Sequence, residues 1–151
     1  MNARISSVRI AFNAFSQRGT GKAHNEDAVL LDSHVHQGRV REHGAVDTSQ
    51  PRYFAVADGV SIGALPCTAS RRLLELLQTR LATAPATASL SALLHQVQQD
   101  YVALRADDQL LGMASTLVGV RLIGNNVTIF NVGDSRAYLL QAEQAQLLSS
   151  C

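Results

Sequence analysis

The chain has 151 residues, 46% of them apolar and 17% charged, with a net charge of +1. That suits one globular domain with its own core, and the interspersed charges leave no basic stripe for nucleic acid. The first ten residues carry Arg4 and Arg9 but no apolar run long enough for a signal peptide or membrane span, and two cysteines, Cys67 and Cys151, make no disulfide framework. These features predict a reducing, cytoplasmic setting with no membrane partner.

In chain order, Val8 to Phe15 alternates loosely and reads as a strand, followed by turn chemistry from Ser16 to Gly21. Asp27 to Asp32 (DAVLLD) reads as a short buried strand with an acid at each end. Ser33 to Pro51 is polar, holds three of the five histidines, and reads as a long exposed loop or loose hairpin. Tyr53 to Ala57 (YFAVA) is the clearest interior strand and runs directly into Asp58-Gly59.

Two helices are expected next. Pro66 suits a first helical position, and Leu73, Leu74, Leu77 and Leu81 recur at helical spacing up to about Ala82. Thr83-Ala84-Pro85 breaks that pattern. A second helix begins near Thr87 or Ser89, with Leu90, Leu94, Val97, Tyr101 and Leu104 as its stripe, and Asp107-Asp108 reads as a helix-end turn. The period then changes, and Ser115 to Leu122, Asn126 to Val132 and Arg136 to Leu140 read as an antiparallel meander, the first two joined by a short turn at Gly124-Asn125. The fold class is therefore α+β, helices packed on a sheet rather than a parallel βαβ array.

Carboxylates stand where strands begin or end: Glu26-Asp27 before one, Asp58 at the exit of another, Asp134 just past a third. Acids held at strand tips can converge at one end of a sheet, and hard divalent cations prefer such oxygen ligands. Gly59 lets the backbone come close, leaving its carbonyl as a further ligand. Against this, Asp-Gly and Gly-Asp-Ser are common turn sequences, and isolated acids usually face water.

Four segments carry a family resemblance. Gly21-Lys22-Ala23-His24-Asn25-Glu26-Asp27-Ala28 resembles the N-terminal R-x-x-N-E-D segment of protein phosphatase 2C (PP2C) type enzymes, and Phe54-Ala55-Val56-Ala57-Asp58-Gly59-Val60 their F-x-V-x-D-G segment. Gly112-Met113-Ala114-Ser115-Thr116-Leu117 and Asn131-Val132-Gly133-Asp134-Ser135-Arg136-Ala137-Tyr138 resemble the G-S/T-T strand and N-x-G-D-S-R hairpin. The segments come in family order, with the helix pair between the second and third. The resemblance implies a β-sandwich flanked by helices in α/β/β/α layers, of which residues 1–151 are the N-terminal portion. It implies Mn²⁺- or Mg²⁺-dependent hydrolysis of phosphoserine and phosphothreonine on proteins, within a signalling pathway that includes a serine/threonine kinase. Asp58 would bridge two ions, Gly59 offer its carbonyl, Glu26 complete the second ion, Asp27 hold a water, and Asp134 help bind a third, weaker ion. Water activated between cations attacks phosphorus directly, so no cysteine nucleophile is required.

Three departures bear on that expectation. The phosphate-gripping position usually filled by arginine is Lys22, a point charge without the bidentate fork, with Arg18 four residues earlier as a substitute. Ser61-Ile62-Gly63 follows Asp-Gly-Val, putting a β-branched residue beside the metal loop. After Asp134 the only acid is Glu143, so the family's later metal-binding aspartates have no counterpart. The alternative reading is accordingly a non-catalytic binding module, a pseudophosphatase or fragment. His34, His36 and His43 lack zinc-site spacing and read as solvated, while Cys67 reads as a small buried residue.

Overall fold

The computed structural model describes residues 7–60, 65–104, 106 and 110–149, and Ser61-Ile62-Gly63, Asp107-Asp108 and Cys151 lie outside them. Nine strands and two helices are found among the described residues. The largest unit is an antiparallel five-stranded sheet in the order β3-β2-β5-β6-β7. Its strands are β2 (Asp27–Leu31), β3 (His34–Gln37), β5 (Arg52–Asp58), β6 (Leu117–Ile123) and β7 (Asn126–Val132). Two smaller sheets accompany it, β1 (Arg9–Ser16) with β4 (Val40–Asp47), and β8 (Tyr138–Gln141) with β9 (Gln144–Leu147).

Helices α1 (Pro66–Thr83) and α2 (Leu90–Leu104) cover one face of the large sheet. Proline stands at the first turn of α1, where its missing N–H costs nothing. Leu73, Leu74 and Leu77 from α1, with Leu90, Leu93, Val97 and Tyr101 from α2, meet Ala28, Leu30, Ala55, Ala57, Leu117 and Phe130 of the sheet. Leu30, Leu74 and Leu77 are fully buried, each contributing about 2 kcal/mol through apolar area removed from water. Small residues in β2 and β5 (Ala28, Ala55, Ala57) let the leucine stripes approach the sheet closely. Arg80 and Asp100 tie the helices together through two bonds of 2.7 and 2.8 Å.

The opposite face of the sheet presents Val29, Phe54, Val56, Val118 and Val120 to an open cleft of about 620 Å³ bordered by β1 and β8. Phe12 of β1 packs on Phe54 with ring centroids 5.0 Å apart. Buried Thr48 fixes the small sheet to the large one: its hydroxyl receives the Val8 N–H at 2.9 Å and donates to the Gly124 carbonyl at 2.8 Å.

Three expectations need correction. Residues 33–51 are not a loop or a hairpin. They form β3, which extends the large sheet beside β2, and β4, which crosses over to pair with β1. His34 and His36 therefore belong to one sheet and His43 to another. The last strands do not form a simple meander: β6 and β7 do, with Gly124-Asn125 as the turn, but β8 leaves the sheet and pairs with β9, a strand not anticipated from sequence. The α2 stripe buries Leu93, and Leu94 is only partly covered.

Gly119 of β6 lies under the ring of Phe130 on the neighbouring strand. A Cβ there would stand 2.4 Å from Phe130 Cζ and 2.6 Å from the Phe54 carbonyl oxygen. Gly119→Ala is therefore expected to cost about 1–3 kcal/mol by overpacking, read as a lower urea midpoint with an unchanged slope. An unchanged midpoint would show that the sheet yields there freely.

Candidate functional site

Because neighbouring strands run antiparallel, β2 starts, β5 ends, β6 starts and β7 ends at one edge of the sheet. Register places Asp27 directly opposite Asp58, one step beyond the apolar pairs Ala28–Ala57 and Val29–Val56. Beyond them an isolated bridge links Gly59 to Ser115. Two of the acids marked in the sequence thus face each other across a ladder.

The backbone around them is held from four directions. Gly59 donates to the Glu26 carbonyl at 3.1 Å, and the Ser70 hydroxyl of α1, fully buried, donates to that same carbonyl at 2.5 Å. The Asp58 carbonyl accepts from the Thr116 N–H at 2.9 Å and from the Ser115 hydroxyl at 3.0 Å. In return the Asp58 N–H donates to Thr116 Oγ1 at 3.2 Å, and Thr116 Oγ1 lies 2.6 Å from Ser135 Oγ on the turn after β7. Buried Asn25 donates to Ser16 Oγ and to the Gly38 carbonyl, both at 2.7 Å, while its own Oδ1 accepts from the Asp27 N–H at 3.3 Å.

Gly59 has a packing reason to be glycine that is separate from any ligand. A Cβ there would stand 1.9 Å from the Pro66 carbonyl oxygen, so the loop after β5 and the start of α1 touch backbone to backbone.

A shallow depression of about 320 Å³ opens over these acids, lined by Lys22, His24, Glu26, Asp27 and Asp58. Lys22 Nζ lies 2.8 Å from Glu26 Oε2. Arg18 does not line the depression, and its guanidinium donates to the Lys22 carbonyl. Asp134 is exposed on the turn after β7, at the same end of the sheet but outside the depression. Sequence reasoning placed His24 and Thr116 inside two of the family-like segments but gave them no role, and it missed Ser70 altogether. Ser70 carried no signal, since a serine inside a leucine-striped helix reads as neutral.

Burial pushes the Asp27 carboxyl up from 3.8 to about 6, reinforced by the charge of Asp58, a hydrogen bond to it, and the charge of Glu26. Hard oxygen donors crowded against their own repulsion are the chemistry that a divalent cation relieves. Asp27, Asp58 and the Gly59 backbone fit one wall of such a site. Among the described residues, no three His, Cys, Asp or Glu side chains gather closely enough to hold an ion.

The crowding has a stability signature. A carboxyl raised in the folded state favours folding when protonated, so its penalty is absent below about pH 4 and complete above about 6. Asp27→Asn, melted in the presence of a chelator, is expected to be more stable than the parent at pH 7.5 by on the order of 1 kcal/mol, allowing for solvent screening of this half-exposed group. The gain should vanish at pH 4. A difference independent of pH would show that neither burial nor the charge of Asp58 raises the Asp27 carboxyl.

Comparison with known proteins gives the family and the fold. The sequence matches the protein phosphatase 2C family over residues 32–150, a span that begins just after Glu26 and Asp27. No curated protein matches it. Among solved structures, the serine/threonine phosphatase PstP/Ppp of Mycobacterium tuberculosis is 24% identical, with a TM-score of 0.61 over 95% of this chain and 54% of that one. The catalytic domain of PstP in complex with two manganese ions is 24% identical, with a TM-score of 0.63 over 95% and 55%. A bacterial serine phosphatase reaches 0.68 at 21% identity, over 94% and 54%. The likeness shows the fold, and the chain spans about half the length of these structures.

Proposed function

Since the chain belongs to the protein phosphatase 2C family, we propose that its acid-lined sheet end is the N-terminal half of a catalytic centre. The reaction is hydrolysis of phosphoserine and phosphothreonine on proteins, within a pathway that a serine/threonine kinase feeds. The observation that carries this reading is the direct pairing of Asp27 with Asp58 at one end of the sheet. The two manganese ions held by the PstP catalytic domain support it.

Mn²⁺ or Mg²⁺, when bound, supplies Lewis-acid activation of a water and neutralises the phosphoryl oxygens. The chain's own residues prepare the place. Asp58 lies between Asp27 and the Gly59 backbone, with its main chain anchored to Thr116, so its carboxylate would be held in place to ligate the cation. Glu26, with its carbonyl clamped by Ser70 and Gly59, adds a third carboxylate. Asp27 would hold a water beside the cation. Lys22 meets the substrate phosphate as a single positive charge, and Arg18 braces the Lys22 backbone rather than reaching the phosphate itself. Asp134 serves a weaker, outer cation site. A cytoplasmic setting belongs to the same reading.

A second reading, a phosphoprotein-binding module without turnover, is favoured by one observation. Among the described residues no three His, Cys, Asp or Glu side chains gather closely enough to hold an ion.

In a complete domain that carries this sequence, phosphate release from a phosphothreonine peptide is expected to require Mn²⁺. It is expected to fall by about 10³-fold or more in Asp58→Asn, the scale of losing electrostatic support at a reacting centre. Turnover that survives the substitution would exclude the proposed centre. Peptide binding without turnover in the unsubstituted protein would establish the second reading.

A further inference from the structure

The open cleft on the far side of the large sheet is bounded by two strand edges. Phe12, Asn13, Ala14 and Phe15 of β1 line it in succession, so β1 borders the cleft edge-on rather than by one face. The run from Arg136 to Leu139, which leads into β8, does the same on the other side. β1 pairs along its far side with β4, and β8 with β9, which leaves the cleft-side edges without a strand among the described residues. Between the edges lies an apolar floor on which Val56 is 43% exposed, and among the described lining residues only Arg136 is charged. Neutral edges beside an apolar floor are surface that proteins otherwise guard or cover.

The β8–β9 hairpin carries a matching surplus. Every residue of both strands is exposed, Leu140 at 74%. Neither strand holds a charge, whereas β4 carries Arg41, Glu42 and Asp47, which discourage pairing along it. The base of the hairpin is clamped at the cleft's border. The Leu148 N–H donates to the Ala137 carbonyl at 2.8 Å, and the Ala137 N–H donates to Ser149 Oγ at 3.1 Å. A hairpin held there is presented to another molecule rather than folded onto its own floor.

We propose that this cleft is a self-association surface: a second copy of the chain adds its β8 antiparallel to β8 across a two-fold axis and lays its hairpin over the floor toward β1. Self-pairing has a single register that uses all of Tyr138–Gln141. Tyr138 then faces Gln141 of the second copy, and Leu139 faces its Leu140. The same register brings Arg136 beside Glu143, in the turn of the second copy's hairpin, and the two-fold repeats that pair. Opposite charges therefore flank the seam at both ends, with uncharged residues between them. Each copy supplies one cleft and one hairpin, so the exchange is mutual and closes at two chains.

The flanking charges make the test direct. Light scattering on the whole chain is expected to give twice the mass of one chain, falling to one chain on dilution. In a mixture of ¹³C-labelled and unlabelled chains, isotope-filtered NOEs are expected between the methyls of Leu139 and those of Leu140 of the second copy. Arg136→Glu and Glu143→Arg each set like charges at both ends of the seam, and each should raise the dimer dissociation constant about tenfold or more. Mixed in equal amounts, the two variants face each other with opposite charges and should form a heterodimer about as tight as the parent dimer. Loss of folding could not produce that rescue. A parent of one-chain mass at millimolar concentration would overturn the proposal. So would a dimer indifferent to both reversals, or one whose filtered contacts lie on another surface such as the outer edge of β7.

Discussion

Two negative charges meet at the end of an antiparallel ladder, and most of the surrounding structure is arranged to keep them there. The pairing of Asp27 with Asp58 follows from the register of β2 on β5, which apolar residues on both faces determine. A slip of one residue would turn Leu30 and Ala57 away from the helices and strand them in the open cleft. Burial energy along the strands thus places the acids, and the cost the fold absorbs is the burial of Asp27, reinforced by the charge of Asp58, which together lift its carboxyl to about 6.

That cost is contained because every neighbouring element grips the same short stretch of backbone. Helix α1 does so through Ser70 on the Glu26 carbonyl and through the contact of Pro66 with Gly59. β6 contributes Ser115 and Thr116, and the turn after β7 reaches Thr116 through Ser135. Asn25 links the start of β2 to the small sheet by way of Ser16. The side chains of Lys22, His24 and Asp58 at the rim, by contrast, are exposed, which is the division that a ligand site needs: fixed main chain, responsive tips.

Much of this was legible from residues alone, and the remainder has identifiable causes. Tyr53 to Ala57 declared itself as a strand because it is apolar on both faces, and the leucine repeats declared both helices. Residues 33–51 did not, because β3 and β4 are rich in histidine, glutamine, arginine and glutamate, on positions that are half-buried in β3 and largely exposed in β4. β9 was hidden for a similar reason: Gln-Ala-Gln-Leu is wholly exposed, and the preceding turn uses Ala142 at φ 52° where sequence rules look for glycine or asparagine. The acids could be singled out, but their mutual placement could not. Asp27 and Asp58 are brought together across two intervening strands, one of which belongs to a different sheet. The Lys22–Glu26 pair was equally unreadable, because four-residue spacing predicts contact only on a helix, and this segment is none.

The central claim is that the sheet end bearing Asp27 and Asp58 is a divalent-cation site. It is tested most directly by substoichiometric Mn²⁺ added to the isotope-labelled chain, reading paramagnetic broadening residue by residue. The account predicts that amide signals of residues 26–28 and 58–60 disappear first, and that Asp58→Asn abolishes this selectivity. Broadening centred elsewhere, or unchanged by the substitution, would contradict it.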